Sequence, residues 1–234
     1  MRIIRNERRI RISSTIAQYA VWGGMVTLFV GLVVSFVKPE WILVTMVSLA
    51  LGFTLSVIGA FFSDRFAGPL AHYKALNEAL KYLGTRYTLL QYTLPPAHVL
   101  LGPGGCTVFI VKTQGGQVTY QENGRWKHQQ KGKFFRQFAG QEAVGAPDFE
   151  GEREVRKMER WLARKLPDTE APVRAVIVFV NPEVTLDVSN TPPVPALYSK
   201  KLKAWLQGPG KRDPLPDDVH RQLTEALGIE TDDK

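Results

Sequence analysis

The stretch YAVWGGMVTLFVGLVVSFV, Tyr19 to Val37, contains no charged side chain, and after Lys38-Pro39-Glu40 a second uncharged run extends from Trp41 to Phe62. At about 1.5 Å rise per residue these runs make roughly 28 and 33 Å of helix, which matches a hydrocarbon core of about 30 Å. Residues 19–62 therefore read as a transmembrane hairpin with spans at 19–37 and 41–62. Residues 1–18 form a basic arm in which Arg2, Arg5, Arg8, Arg9 and Arg11 face one acid, Glu7, while the connecting loop carries only Lys38 and Glu40. Positive charge stays cytoplasmic. Two crossings then return the chain to the same side, and Arg65, Lys74 and Lys81 after the second run agree with that orientation. The expectation is an integral membrane protein whose termini and soluble domain are all cytoplasmic. A cleaved signal peptide fits less well, because the first run is longer than a typical h-region and no small-x-small site precedes Lys38.

Within the spans, small residues recur every fourth position: Gly23, Thr27, Gly31 and Ser35 in the first, Ser48, Gly52, Ser56 and Ala60 in the second. Lipid supplies no hydrophobic drive between helices, so close backbone approach over small side chains is what lets them associate. These rows are expected to close the hairpin, with homo-oligomerisation through the same stripes as the second use. Tyr19, Trp22 and Trp41 lie near the span ends, where amphipathic rings favour the interface. The bilayer is thus the first expected partner. No acid, His or Arg lies inside either run, which argues against an ion or proton path.

The remaining chain is long enough for one domain with a single core. Half of the formal charge of +8 comes from the arm, where arginine is expected for topology, so net charge alone is weak evidence for nucleic acid. One band is more specific. Lys112, Arg125, Lys127, Lys131, Lys133 and Arg136 face only Glu122, with Trp126, His128, Phe134 and Phe135 interleaved. Basic plus aromatic is the composition of a backbone-binding groove for nucleic acid, of a loop on lipid headgroups, and of a solvated hairpin. Arg125, Lys127, Lys131, Lys133 and Arg136 are the candidate substrate-binding residues. From Asp213 onward the balance turns acidic. The single Cys106 rules out an intrachain disulfide and a cysteine metal site, as suits a reducing compartment.

Apolar spacing predicts a helix over Pro69 to Leu83, stopped by Gly84. Strands are predicted over Tyr87 to Leu94, Ala97 to Leu101, Cys106 to Lys112 and Gln117 to Tyr120, with Gly102-Pro103-Gly104-Gly105 and Asn123-Gly124 as turns. Asp148 to Leu166 reads as an amphipathic helix and Val173 to Val180 as a central strand. A Pro-rich linker over Thr191 to Pro195 precedes helices around Tyr198 to Leu206 and Asp217 to Leu227. This order predicts an α/β domain over 63–190 with one mixed sheet, followed by a linker and helices over 191–234.

The run Ala97-His98-Val99-Leu100-Leu101-Gly102-Pro103-Gly104-Gly105, the run Val108-Phe109-Ile110-Val111-Lys112, then Gly115-Gly116-Gln117-Val118 and a Trp, resemble the nuclease-related domain (NERD) family over roughly Gly68 to Val180. The resemblance implies a restriction-endonuclease-like PD-(D/E)xK fold. In such a site two carboxylates on adjacent strands hold a hard divalent cation, and a lysine orients the attacking water. Lys112 occupies the lysine position and is the one catalytic candidate. Ala97 stands where the family has Asp before His98, Ile110 where it has Glu, and Pro69 where its first helix usually places Glu. Neither Ala nor Ile can ligate Mg²⁺. The acids nearest in sequence, Glu78 and Glu122, are not on these strands, and Glu150 lies only loosely where the family has Gln after Asn-Pro, here Ala146-Pro147.

His98 in an alternating strand is more often a satisfied core residue than a base. The acids Glu150, Glu152, Glu154 and Glu159 alternate with Arg153, Arg156, Lys157, Arg160 and Arg164 as intrahelical pairs do. No phosphate loop, Ser-His-Asp set or zinc spacing is present. The expectation is a membrane-anchored nuclease-like domain that is catalytically degenerate, takes no metal and acts as a binding or scaffold module toward nucleic acid or another protein. Two alternatives stand beside it: a metal-dependent nuclease using Mg²⁺ with a carboxylate migrated toward Lys112, and a nucleic-acid-binding module at the membrane.

Overall fold

The computed structural model describes residues 1–130 and 143–229. They divide into two compact units, one containing the apolar hairpin and one containing the sheets.

In the hairpin unit, α1 runs over Glu7–Val37 and α2 over Ile42–Phe62. The first helix begins well before the apolar run, since Arg8, Arg9 and Arg11 are good helix formers and Glu7 in the first turn complements the helix dipole. The turn is closed by the Lys38 N–H donating to Val34 O and the Trp41 N–H to Lys38 O, both at 2.9 Å. Val21 meets Gly59, Gly24 meets Ser56, Leu28 meets Gly52 and Gly31 meets Ser48, so the helices are antiparallel. A Cβ added at Gly24, Gly31, Gly52 or Gly59 would come within 2.7 to 2.8 Å of the facing helix, whereas one at Gly23 would have its nearest neighbour, the Leu55 Cδ1, at 3.9 Å.

The buried row in α1 is therefore Ala17, Gly24 and Gly31, spaced by seven, and in α2 the seam is lined by Ser48, Gly52, Ser56 and Gly59. The every-fourth row Gly23, Thr27, Gly31, Ser35 winds off the contact, because four residues advance about 40° beyond one full turn. Of the two stripes, Gly31 in α1 and Ser48, Gly52 and Ser56 in α2 lie at the seam, whereas Gly23 does not. Hydroxyls in the apolar runs bond back to their own helix, Thr27 to Gly23 O at 2.7 Å, Thr54 to Ala50 O at 2.8 Å and Ser56 to Gly52 O at 2.9 Å, which hides polar groups that lipid could not satisfy. Trp22, Phe29, Phe36 and Leu43 point outward, and only 17% and 11% of the most apolar windows are buried. Both helices are long and apolar enough to cross a membrane.

The other unit is mixed α/β. Its six-stranded sheet has the order β1 (Arg2–Arg5), β2 (Thr88–Gln91), β3 (His98–Gly102), β4 (Gly105–Lys112), β7 (Val173–Phe179), β9 (Ala196–Tyr198). A three-stranded sheet has β6 (Trp126–Gln129), β5 (Gly116–Tyr120) and β8 (Val184–Asp187) in that order. The expected single sheet is thus two. The basic residues Arg2 and Arg5 belong to a strand that pairs in parallel with β2, Arg2 opposite Thr88 and Arg5 opposite Gln91.

The β3–β4 hairpin turns where Gly-Pro-Gly-Gly predicted, with Leu101 opposite Cys106. Gly105 sits at φ 98°, and a side chain there would strike Pro172 O at 2.6 Å, so only glycine fits. Strands β4 and β7 are parallel, Cys106 opposite Val173 through Lys112 opposite Phe179. Parallel neighbours need a crossover, and the described part of it includes α4 (Pro147–Lys165). Met158 and Leu162 of that helix pack with Val99, Leu101, Val108, Ile110, Ile177 and Phe179 in the main core, joined by Leu223 of α6 (Asp217–Ala226). The opposite sheet face is covered in part by α5 (Ser199–Gln207), whose Leu202 and Leu206 are buried. A shorter helix than expected, α3 (His72–Leu80), buries Leu76 and Leu80.

Candidate functional site

The carboxyl ends of parallel strands, where crossover helices begin, are the usual place for ligands in open α/β sheets. Here that place holds Lys112. Strand alternation puts Lys112 on the same face as Cys106, Val108 and Ile110, beneath α4. Its backbone carbonyl accepts the Val180 N–H at 3.0 Å, and Asn181 Nδ2 donates to Thr113 O at 2.8 Å, which ties the ends of β4 and β7 together. The Lys112 side chain is 9% exposed, and its Nζ donates to Glu150 Oε2 at 2.6 Å.

Glu150 comes from the first turn of α4. Pro147 at the first helical position presets the backbone and gives up only an N–H that the helix would leave unbonded. Gly151 lets the turn press on the sheet, since a Cβ there would lie 3.0 Å from the Ala175 Cβ. Asp148 in the same turn is buried, and its Oδ1 has no hydrogen-bond partner among the described residues. Asp148 and Glu150 both lie in the first turn of α4, at the positive end of the helix dipole. Beyond this turn the helix carries the ladder that its sequence predicted, with Lys157 to Glu154 at 2.6 Å and Arg156 to Glu152 at 3.5 Å.

The other sequence-derived positions fall as follows. Ile110 is 4% exposed and packs in the core opposite Ile177. Ala97 lies exposed just before β3, its carbonyl accepting the Tyr92 N–H at 2.7 Å, and Pro69 is exposed ahead of α3. His98 is buried on the opposite face from Lys112, with the Tyr92 ring against it at 4.8 Å, so the two residues do not form a pair. Tyr92 holds φ 60°, an uncommon conformation for an aromatic residue that ends β2 at Gln91.

Arg125 and Lys127 are exposed on the hairpin that leads into β6, and the alternating Trp126 and His128 are half-buried. Asn123-Gly124 makes the predicted turn: Gly124 has φ 74°, and the Gln121 N–H reaches Arg125 O at 2.9 Å. The Trp126 ring packs near Tyr120 and Phe179 at 5.1 and 6.3 Å, and a His128 ring nitrogen contacts Gly115 O at 2.8 Å. Lys131, Lys133 and Arg136 lie outside the described residues.

At the positions that the nuclease resemblance assigns to metal ligands, the side chains do not fit a divalent cation: one is a core isoleucine and the other an alanine. Among the described residues no group of three or more His, Cys, Asp or Glu is arranged to hold a metal ion. Glu150 is the partner that sequence reasoning did not attach to Lys112. The signal was present in part, as two acids, Asp148 and Glu150, within three residues of Pro147 in a helix that had to cross between parallel strands. No family model, no curated protein and no solved structure matches the chain.

Proposed function

We propose that the chain is a membrane-anchored cytoplasmic protein whose nuclease-like domain binds or scaffolds rather than cleaves. The observation that carries the reading is the ion pair at the end of β4. The lysine that would steady charge on a scissile phosphate instead holds Glu150 at 2.6 Å, while the neighbouring ligand position, Ile110, belongs to the core. A site of this kind needs two convergent carboxylates and a lysine free to meet the phosphate. Strand β1 supports the cytoplasmic placement of both hairpin ends. Residues before α1 pair with residues after α2 in one sheet, which supports placing both on the same side of a membrane crossed by the hairpin. The arginines before the first span choose the cytoplasmic side.

A nuclease with a migrated carboxylate is the second reading, favoured by Glu150 reaching Lys112 and by a second acid in the same helical turn, the buried Asp148, whose Oδ1 has no hydrogen-bond partner among the described residues. The two are separated by incubating full-length protein in detergent micelles with DNA and RNA in Mg²⁺ or Mn²⁺, alongside Lys112→Ala. Binding without cleavage is expected. Cleavage that disappears in Lys112→Ala would replace this proposal with the enzyme. For the nucleic-acid form of the binding reading, affinity would fall with salt, and Arg125→Ala and Lys127→Ala would weaken binding, each phosphate contact contributing about 0.7 to 0.9 to the log–log slope.

A further inference from the structure

A cavity of about 470 Å³ opens at the other end of the central strands, where the Gly102 to Gly105 turn meets the segment after α5. Its basic lining comes from distant parts of the chain: Arg86, Arg174, Lys211 and Arg212, against one acid, Asp213. Arg174 projects from β7 on the face opposite the main core. Its Nε donates to the buried Thr107 hydroxyl at 3.1 Å, and its guanidinium lies over the Trp205 ring at 4.6 Å. Arg212 donates from Nη1 to Pro172 O at 3.3 Å. Among the described residues neither arginine forms an ion pair with a carboxylate.

Two half-buried guanidiniums directed into one recess repel each other and lose solvation, and Asp213, the acid on the lining, is exposed and among the described residues forms no ion pair with either. Burial pushes Arg174 down to about 10, with the charge of Arg212 as the next cause. Arg212 is also lowered, chiefly by burial. Both remain protonated near neutral pH. The fold nevertheless holds them together with specific packing. A side chain at Gly104 would collide with Arg212, one at Gly210 would collide with Trp205, and the Leu215 N–H donates to Pro103 O at 2.8 Å, so the segment that carries Arg212 is seated on the turn. A buried pair of like charges becomes favourable when a dianion enters, and guanidinium forks match phosphate oxygens in geometry. The volume suits a small molecule.

We propose that this cavity binds a phosphomonoester, with Arg174 and Arg212 holding the terminal phosphate and Arg86 and Lys211 adding charge at the rim. A singly charged phosphodiester in a nucleic-acid strand would neutralise only one of the two central arginines. This site is separate from Lys112, and its existence does not depend on whether the domain cleaves nucleic acid.

The test is calorimetric titration of the full-length protein in non-ionic detergent with inorganic phosphate, adenosine monophosphate, adenosine and a short-chain phosphatidic acid. At least one phosphomonoester is expected to bind, adenosine is expected not to, and Arg174→Gln and Arg212→Gln are each expected to weaken binding tenfold or more. Binding of the monophosphate assigns a free metabolite or nucleotide as the source; binding of phosphatidic acid alone assigns a lipid headgroup. Should Arg174→Gln lower the thermal midpoint without ligand, Arg212→Gln with Lys211→Gln decides, since those side chains lie in the segment at the cavity mouth. No binding of phosphate, monophosphate or phosphatidic acid up to millimolar concentration, equal binding of adenosine, or undiminished binding by the folded arginine variants would overturn the proposal.

Discussion

The Lys112 ammonium and the Glu150 carboxylate meet at 2.6 Å across the end of a parallel strand pair, and the two partners differ in exposure, 9% for the lysine side chain and 36% for the glutamate. The pair is therefore asymmetric. Removing Glu150 strands a buried cation, whereas removing Lys112 leaves a carboxylate that water already reaches.

Glu150→Ala is accordingly expected to destabilise the fold by about 2 to 3 kcal/mol and Lys112→Met by about 1 kcal/mol or less, the first resembling the breaking of a buried pair and the second that of a surface pair. Chemical denaturation of the two variants in parallel measures the difference. Equal losses, or a larger loss for Lys112→Met, would contradict the asymmetry.

Adjacent glycines in the first span make a sharper test of the hairpin. Gly24→Ala would press a methyl group to 2.7 Å from Ser56 Oγ and 3.0 Å from Gly52 O, while Gly23→Ala would meet nothing closer than 3.9 Å. Gly24→Ala should lower thermal stability in detergent by an amount on the order of 1 kcal/mol or more, and Gly23→Ala should leave it within a few tenths. If the two behave alike, the seam runs along a different face.

Cys106 is fully buried in β4, and burial pushes its thiol from 9.0 up to about 12. The native protein should not react with a thiol reagent at pH 8, and unfolded protein should react with one equivalent. The same shift carries a pH dependence. Below about pH 9 the thiol is protonated in both states and its contribution is constant; between about pH 9 and 12 the unfolded chain releases the proton first, so stability falls as pH rises. Cys106→Ala should flatten that alkaline limb, which a denaturation series across pH would detect.

Strand β1 makes the membrane topology testable. Reporter fusions at residue 39 and after residue 229 should report opposite sides, with the latter cytoplasmic. A shared location for the two would be incompatible with a two-span hairpin.

Periodicity and charge are local quantities, so the sequence alone determined the features that depend on them. These include the two uncharged helices, the Gly-Pro-Gly-Gly and Asn-Gly turns, the strands that end at Lys112 and near Val180, and the intrahelical charge ladder after Pro147. Short strands were harder to read. Residues 184–187 and 196–198 lie beside prolines and too briefly alternate, and residues 2–5 were masked by a charge pattern that also serves membrane orientation. Tertiary structure decided which residues face one another. The phase of a helix contact turns on about 100° per residue, so a one-residue difference separates Gly24 from Gly23. A crossover between parallel strands brings Glu150 to Lys112 over thirty-eight positions. Arg174 and Arg212 share one cavity because the sheet places β7 beside the β3–β4 turn and the segment after α5 folds back upon it. No spacing rule along the chain encodes such meetings, because they follow from strand order and from which sheet face each side chain takes.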